Sequence, residues 1–98
     1  MTVLNPRNES GDVLKTRFMG ARFRDEIRTL LDRGEDVRID FSGVGAISHS
    51  FADECFGDLF SELGADLFRE RVRLAAANEG VRAVLRLVFA DRRSKETV

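Results

Sequence analysis

Ninety-eight residues are enough for one domain with one core and too few for two, and a chain 43% hydrophobic and 34% charged has the composition of a soluble globular protein. Arginine outnumbers lysine fourteen to two, yet Asp and Glu bring the formal net charge to -1, which argues against a general nucleic-acid binder. No apolar run approaches the ~20 residues of a membrane-spanning helix, and "MTVLNPRNES" lacks the layout of a signal peptide, so no membrane partner and a cytoplasmic location are expected.

Residues 1–12 hold the only proline, Pro6, and the polar run "RNESGD", and read as a flexible or edge-strand entry segment. Val13 and Leu14 open the domain proper, residues 13–92, with a short strand. From Thr16 onward Phe23, Ile27, Leu30 and Leu31 fall at i, i+4, i+7 and i+8, one stripe of a helix that Gly34 can end. Val37, Ile39 and Phe41 then alternate with Arg38 and Asp40, which predicts a strand with one apolar and one charged face, followed by a turn at "SGVGA".

A second helix is expected from about Ser50 to Leu63. Phe51, Cys55, Phe56, Leu59, Phe60 and Leu63 would form its apolar face, with Asp53, Glu54, Asp58 and Glu62 left for water and Gly64 as its stop. Val72 and Leu74, set between arginines and followed by "AAA", read as another strand, and Asn78 to Gly80 open a third helix carrying Val81, Val84, Leu85 and Val88. Residues 93–98 read as a frayed tail. Strands that alternate with helices pair in parallel through crossovers, so the fold class is a small α/β domain with a short, mostly parallel sheet.

Chemistry, if there is any, is concentrated in "VRIDFSGVGAISHSFADECFG", residues 37–57. Ser50 is expected as the helix N-cap with Asp53 at N3, a capping box worth about 1 kcal/mol. The same position lies past the C-terminal end of a strand and at the start of a helix, where open α/β sheets place ligands, so an anion site for a small ligand or nucleotide in the 42–50 loop stays open as an alternative. "SHS" has no G-x-S-x-G elbow and no second histidine to act with, one histidine and one cysteine do not make a zinc set, and "SGVG" lacks both the spacing and the lysine of a P-loop. No catalytic residue, metal or cofactor is therefore expected. Cys55, the single cysteine, lies at helical spacing among apolar residues and reads as a reduced buried thiol.

The run "VRIDFSGVGAIS-HSFADE", with a helix, the strand "VRLAAAN" and a further helix behind it, resembles the STAS fold of bacterial anti-sigma factor antagonists. It is more narrowly similar to a STAS-like family of unknown function whose hallmark reads like "iDFsGV..is.SFaDE". In the antagonists the helix opens with D-S-S-G, and its second serine is phosphorylated by a GHKL-type kinase that is also an anti-sigma factor. Alignment puts Ser48 at the aspartate, His49 at the first serine, Ser50 at the phosphorylated serine and Phe51 at the glycine. The resemblance thus implies a non-catalytic regulatory module, a GHKL-type ATPase as protein partner, Ser50 as phosphoacceptor, and a binding surface that includes Ser48, His49, Asp53, Glu54 and Asp58. An uncovered sheet edge on so small a domain also leaves self-association open.

Overall fold

The period-two stretch after Gly34 is the centre of the molecule. In a computed structural model, which describes residues 1–96, the elements in chain order are β1 (Thr2–Leu4), α1 (Pro6–Ser10), β2 (Val13–Leu14), α2 (Arg17–Asp32), β3 (Val37–Asp40), β4 (Ala46–Ile47) and α3 (His49–Ala52). A π-helical turn (Asp53–Gly57) continues α3 into α4 (Asp58–Leu63), and α5 (Ala65–Arg71), β5 (Val72–Ala75) and α6 (Glu79–Glu96) follow. Strand β3 lies between β1 and β5, and both pairings are parallel. This is the α/β architecture that the alternation of strands and helices predicts.

Register decides which side of the sheet is covered. Val3, Arg38 and Arg73 align across the three strands, as do Leu4, Ile39 and Leu74. Side chains alternate along a strand, so the first row lies on one face and the second on the other. Val37 and Ile39 are fully buried, whereas Arg38 and Arg73 are exposed and Val3 is 57% exposed. All the helical cover is on one face, and the domain has two layers rather than three.

Burial of the apolar stripes holds these layers together. Phe23, Ile27 and Leu31 of α2 are buried, with Thr16 capping the helix through the Met19 N–H and Arg33 and Gly34 ending it. Phe41 and Phe23 both meet the Phe56 ring edge-on, at 5.7 and 6.4 Å between centroids, an arrangement that adds to the burial of their area. A second aromatic group, Phe60, Phe68 and Phe89, joins α4, α5 and α6. Gly20 lets α2 approach α3: a Cβ there would stand 2.7 Å from the Phe51 carbonyl oxygen.

Several elements differ from the sequence expectation. The "SGVGA" turn runs into β4, which pairs in parallel with β2. Helix α1 begins at an Asn5 cap with Pro6 at its first position, a start signal that lies inside the entry segment. Gly64, at φ +85°, ends α4 as expected, but α5 starts at the next residue and fills the stretch before β5. Helix α6 continues to Glu96 through most of the segment read as a tail, and Thr97 and Val98 lie outside the described residues. Among the described residues no helix is long and apolar enough to cross a membrane.

Candidate functional site

The loop from β3 to α3 is shaped by its own polar groups and by β2. Asp40 accepts from the Ser42 N–H at 2.9 Å and from the Ser42 hydroxyl at 2.7 Å, closing a turn of the Asx type. These two bonds, the hydroxyl's first, hold the Asp40 carboxyl below the usual range. Val44 N–H donates to Phe41 C=O, Gly45 and Ala46 N–H to Asp12 C=O, and Ser48 N–H to Leu14 C=O. With Ser42 bonded as well, most of the N–H groups that could cradle an anion in the 42–50 loop are already engaged. Gly43, at φ +80°, lies under the Arg7 side chain.

Ser48, not Ser50, is the N-cap. Its Oγ accepts from the Phe51 N–H at 3.0 Å and donates to the Lys15 carbonyl at 2.5 Å, tying the helix start to the segment after β2. The cap therefore lies two residues earlier than expected, because β4 takes up Ala46 and Ile47 and lets the helix begin at His49, and the expected Ser50–Asp53 capping box is not formed: N3 is now Phe51, and the Ser48 N–H goes to Leu14 C=O. Ser50 is at N2, half-buried, and its hydroxyl makes no hydrogen bond among the described residues. His49 is exposed at N1. The cap assigned to Ser50 from sequence thus falls to Ser48, and among the described residues the Ser50 hydroxyl keeps no structural bond.

Of the four acids expected to face water, Glu62 is exposed, but Asp53, Glu54 and Asp58 are only half-exposed. Asp53, Glu54 and Asp58 lie around the π-turn between α2 and α6, in a network with three arginines. Arg17 reaches Asp53 at 3.2 Å and Glu54 at 3.0 Å. Arg24 bonds the second Glu54 oxygen and reaches Asp58 at 2.9 Å. Arg92 reaches Asp53 at 3.0 Å and Asp58 at 2.6 Å. Farther along, Glu62 pairs with Arg28.

These arginines also account for the π-turn. Opening the helix to i→i-5 bonding, seen in the Asp58 N–H donating to the Asp53 carbonyl, leaves carbonyls with spare capacity. Arg92 Nη2 donates to the Asp53 carbonyl at 3.1 Å and Arg24 Nη1 to the Glu54 carbonyl at 3.3 Å, one from each flanking helix. Gly57 leaves room for Arg92, since a Cβ there would sit 3.1 Å from its Nε and 2.9 Å from Val88 Cγ1. Burial pulls the Asp53 carboxyl up, but hydrogen bonds from Arg92 and Arg17 outweigh it and hold it below its ordinary value. Bonds from Arg17 and then Arg24 do the same for Glu54.

Sequence alone does not single out the three arginines, although it carries a signal. Arg17, Arg24 and Arg28 follow helical spacing along α2, opposite in charge to the stripe Asp53, Glu54, Asp58 and Glu62, and two complementary stripes predict a contact between helices. Arg92 carries no comparable signal. Cys55 is fully buried as expected, and burial pushes its thiol well up, away from the reactive thiolate.

The hallmark "DFSGV…SFADE" thus has a structural reading at most positions. Asp40 and Ser42 close the turn, Phe41 and Phe51 are core, and Asp53 and Glu54 anchor the π-turn to α2 and α6. Searches of curated proteins and of solved structures found no match to the chain. The sequence model of one family, described as a STAS-like domain of unknown function (DUF4325), matches residues 19–82, from the first turn of α2 into the first turn of α6. That span takes in the strand, the turn and the whole π-containing helix that carry the hallmark, and the chain belongs to this STAS-like family.

Proposed function

We propose that the chain is a non-catalytic, cytoplasmic regulatory module that binds a protein partner, a GHKL-type ATPase, through the loop after β3 and the first turn of α3, with Ser50 as the phosphoacceptor. The observation that carries this reading is the separation of the two serines. Ser48 has both sides of its hydroxyl committed to the backbone, whereas Ser50, two residues on, has its hydroxyl uncommitted and partly open to solvent. A kinase can take the second without dismantling the helix start. His49 and the exposed Gly43, Gly45 and Ala46 complete the surface around it.

The switch is electrostatic. A phosphate brings about -1.5 to -2 charges, and the neighbouring acids Asp53, Glu54 and Asp58 are already neutralised by arginines. The modification therefore changes the charge of a near-neutral surface, and the partner senses that change without any unfolding. The internally bonded N–H groups of the 42–46 loop favour this reading over a small-anion site.

Thermal melting, partner pull-down from the source cells and intact mass test it together. Ser48→Ala is expected to lose about 1 kcal/mol, the usual value of a cap. Ser50→Ala is expected to keep wild-type stability and partners, and Ser50→Asp to keep stability and lose the partner. Unmodified mass from the source cells, together with identical partners for all forms, would refute the switch.

A further inference from the structure

Away from this surface, six of the fourteen arginines line a single groove along the outer side of β5. A recess of about 460 Å³ at one end is floored by Phe60, Phe68 and Phe89 and bordered by Arg38, Arg69, Arg73 and Arg93. A second, of about 400 Å³, shares Leu74 and Phe89 with it and adds Arg82 and Arg86. Among the described residues no Asp or Glu lines either recess, in a chain whose net charge is -1. Among the described residues Arg38, Arg69, Arg73 and Arg82 form no ion pair, and Arg93 stands over the Phe60 ring at 5.7 Å. Asp40, on the same face as Arg38, is turned to Ser42, and Asp66 and Glu70 flank Arg69 and Arg73 outside the groove.

The backbone at this edge is also open. The Ala75 carbonyl accepts from the Phe41 N–H at 2.9 Å, on the β3 side. Successive residues of a parallel strand aim alternately at its two neighbours, so Leu74 directs its N–H and C=O, and Val72 its C=O, to the side where, among the described residues, the sheet has no strand. The Val72 N–H is taken by the Phe68 carbonyl.

We propose that the outer edge of β5 is a docking site for an extended acidic segment of a partner protein, which adds to the sheet as a fourth strand. Its backbone would bond Leu74 and Val72, alternate apolar side chains would enter the recess over Phe60, Phe68 and Phe89, and the intervening carboxylates would meet Arg38 and Arg73 on the open face. Charge complementarity selects this occupant. A second copy, pairing edge to edge about a two-fold, would bring the arginine rows of both copies together on one face, with Arg73 opposite or diagonal to its own counterpart, and like charges across a strand pair are destabilising. A single nucleic-acid strand needs exposed rings to stack on, but Phe60 and Phe68 are buried and Phe89 is half-buried. Protecting a bare edge from aggregation by charge calls for charged side chains on the strand itself, and neither the arginines of the other elements nor the apolar recess serves that purpose.

The test uses a fluorescently labelled ten-residue peptide alternating Glu and Val, followed by anisotropy at low and high salt. Saturable binding is expected, weakened at least tenfold by Arg38→Ala/Arg73→Ala, a variant expected to melt close to the wild type because among the described residues neither side chain forms a hydrogen bond or ion pair and Arg38 acts on Asp40 only through the smallest of the influences on that carboxyl. Three control probes read the mechanism: the same peptide with alternate amides N-methylated, a Glu-block/Val-block isomer of equal charge, and a Lys/Val peptide. Each is expected to bind at least tenfold more weakly. Equal binding of the N-methylated or block peptide would reduce the effect to bulk charge and overturn strand addition. Absence of binding at millimolar peptide, tighter binding of a ten-nucleotide single strand, or dimerisation in sedimentation that Arg73→Ala abolishes would each overturn it as well.

Discussion

Glu54→Lys is the perturbation that most directly tests the ion-pair network at the π-turn. Glu54 has 22% of its side chain exposed and Arg24 only 16%, whereas Arg17 is 52% exposed. Two unit charges 4 Å apart at an effective dielectric constant near 20 interact by roughly 4 kcal/mol. The half-exposed Arg17 can swing into water, and its share is small. Arg24 cannot leave so easily, and it retains Asp58 at 2.9 Å and Asp25 at 3.3 Å, which offset part of the repulsion from a new ammonium. The net loss is expected to be about 2–4 kcal/mol, a large fraction of the ~5–10 kcal/mol that holds a domain of this size. Glu54→Gln, which keeps an acceptor and the side-chain shape, should lose about 1 kcal/mol. Urea unfolding at 0.1 and 1 M NaCl measures both, and a double-mutant cycle with Arg24→Met isolates the pair. A Glu54→Lys protein within about 0.5 kcal/mol of wild type would show that the acids face water after all.

Gly20→Ala places a methyl against the backbone carbonyl of Phe51, which cannot rotate aside, so α2 and α3 must separate; a loss of about 1–3 kcal/mol is expected in the same urea titration. Glu26 has its carboxyl raised to about 6, by burial first and then by the hydrogen bond and repulsion from Glu9. A folded-state value above the ordinary 4.5 contributes stability that is present below pH 4.5 and lost as the pH rises through about 6. Glu26→Gln should therefore match wild type at pH 4.5 and exceed it by up to about 1 kcal/mol at pH 7.5, with equal melting at both pH values arguing against the pair. Ile39→Asp sets a carboxylate at a fully buried position of the central strand and is expected to abolish cooperative unfolding in a melt, whereas a wild-type transition would mean the strand register is wrong.

Local periodicity is a property of the chain itself, so the elements that depend on it were legible. The stripe Phe23, Ile27, Leu31 needs only the 3.6-residue turn to become one buried face, and Val37 and Ile39 need only the two-residue pleat. The parallel α/β class and the STAS-like resemblance follow from the order of such elements and from the hallmark run. What periodicity cannot show is where a polar group finds its partner. Ser48 and Ser50 are equally good caps by residue type, and the choice is made by β2 and the residue after it, where the Leu14 and Lys15 carbonyls hold Ser48 from more than thirty residues away. Asp53, Glu54 and Asp58 read as a solvated stripe because one helix considered alone has only water to offer them. The packing of α2 and α6 on either side of the π-turn brings in Arg17, Arg24 and Arg92, and those contacts convert an exposed face into a half-buried seam and make room for a π-turn that no local pattern announces. The arginine groove has the same origin: Arg38, Arg69, Arg73 and Arg93 lie on four separate elements, and only strand register and helix packing place them along one edge.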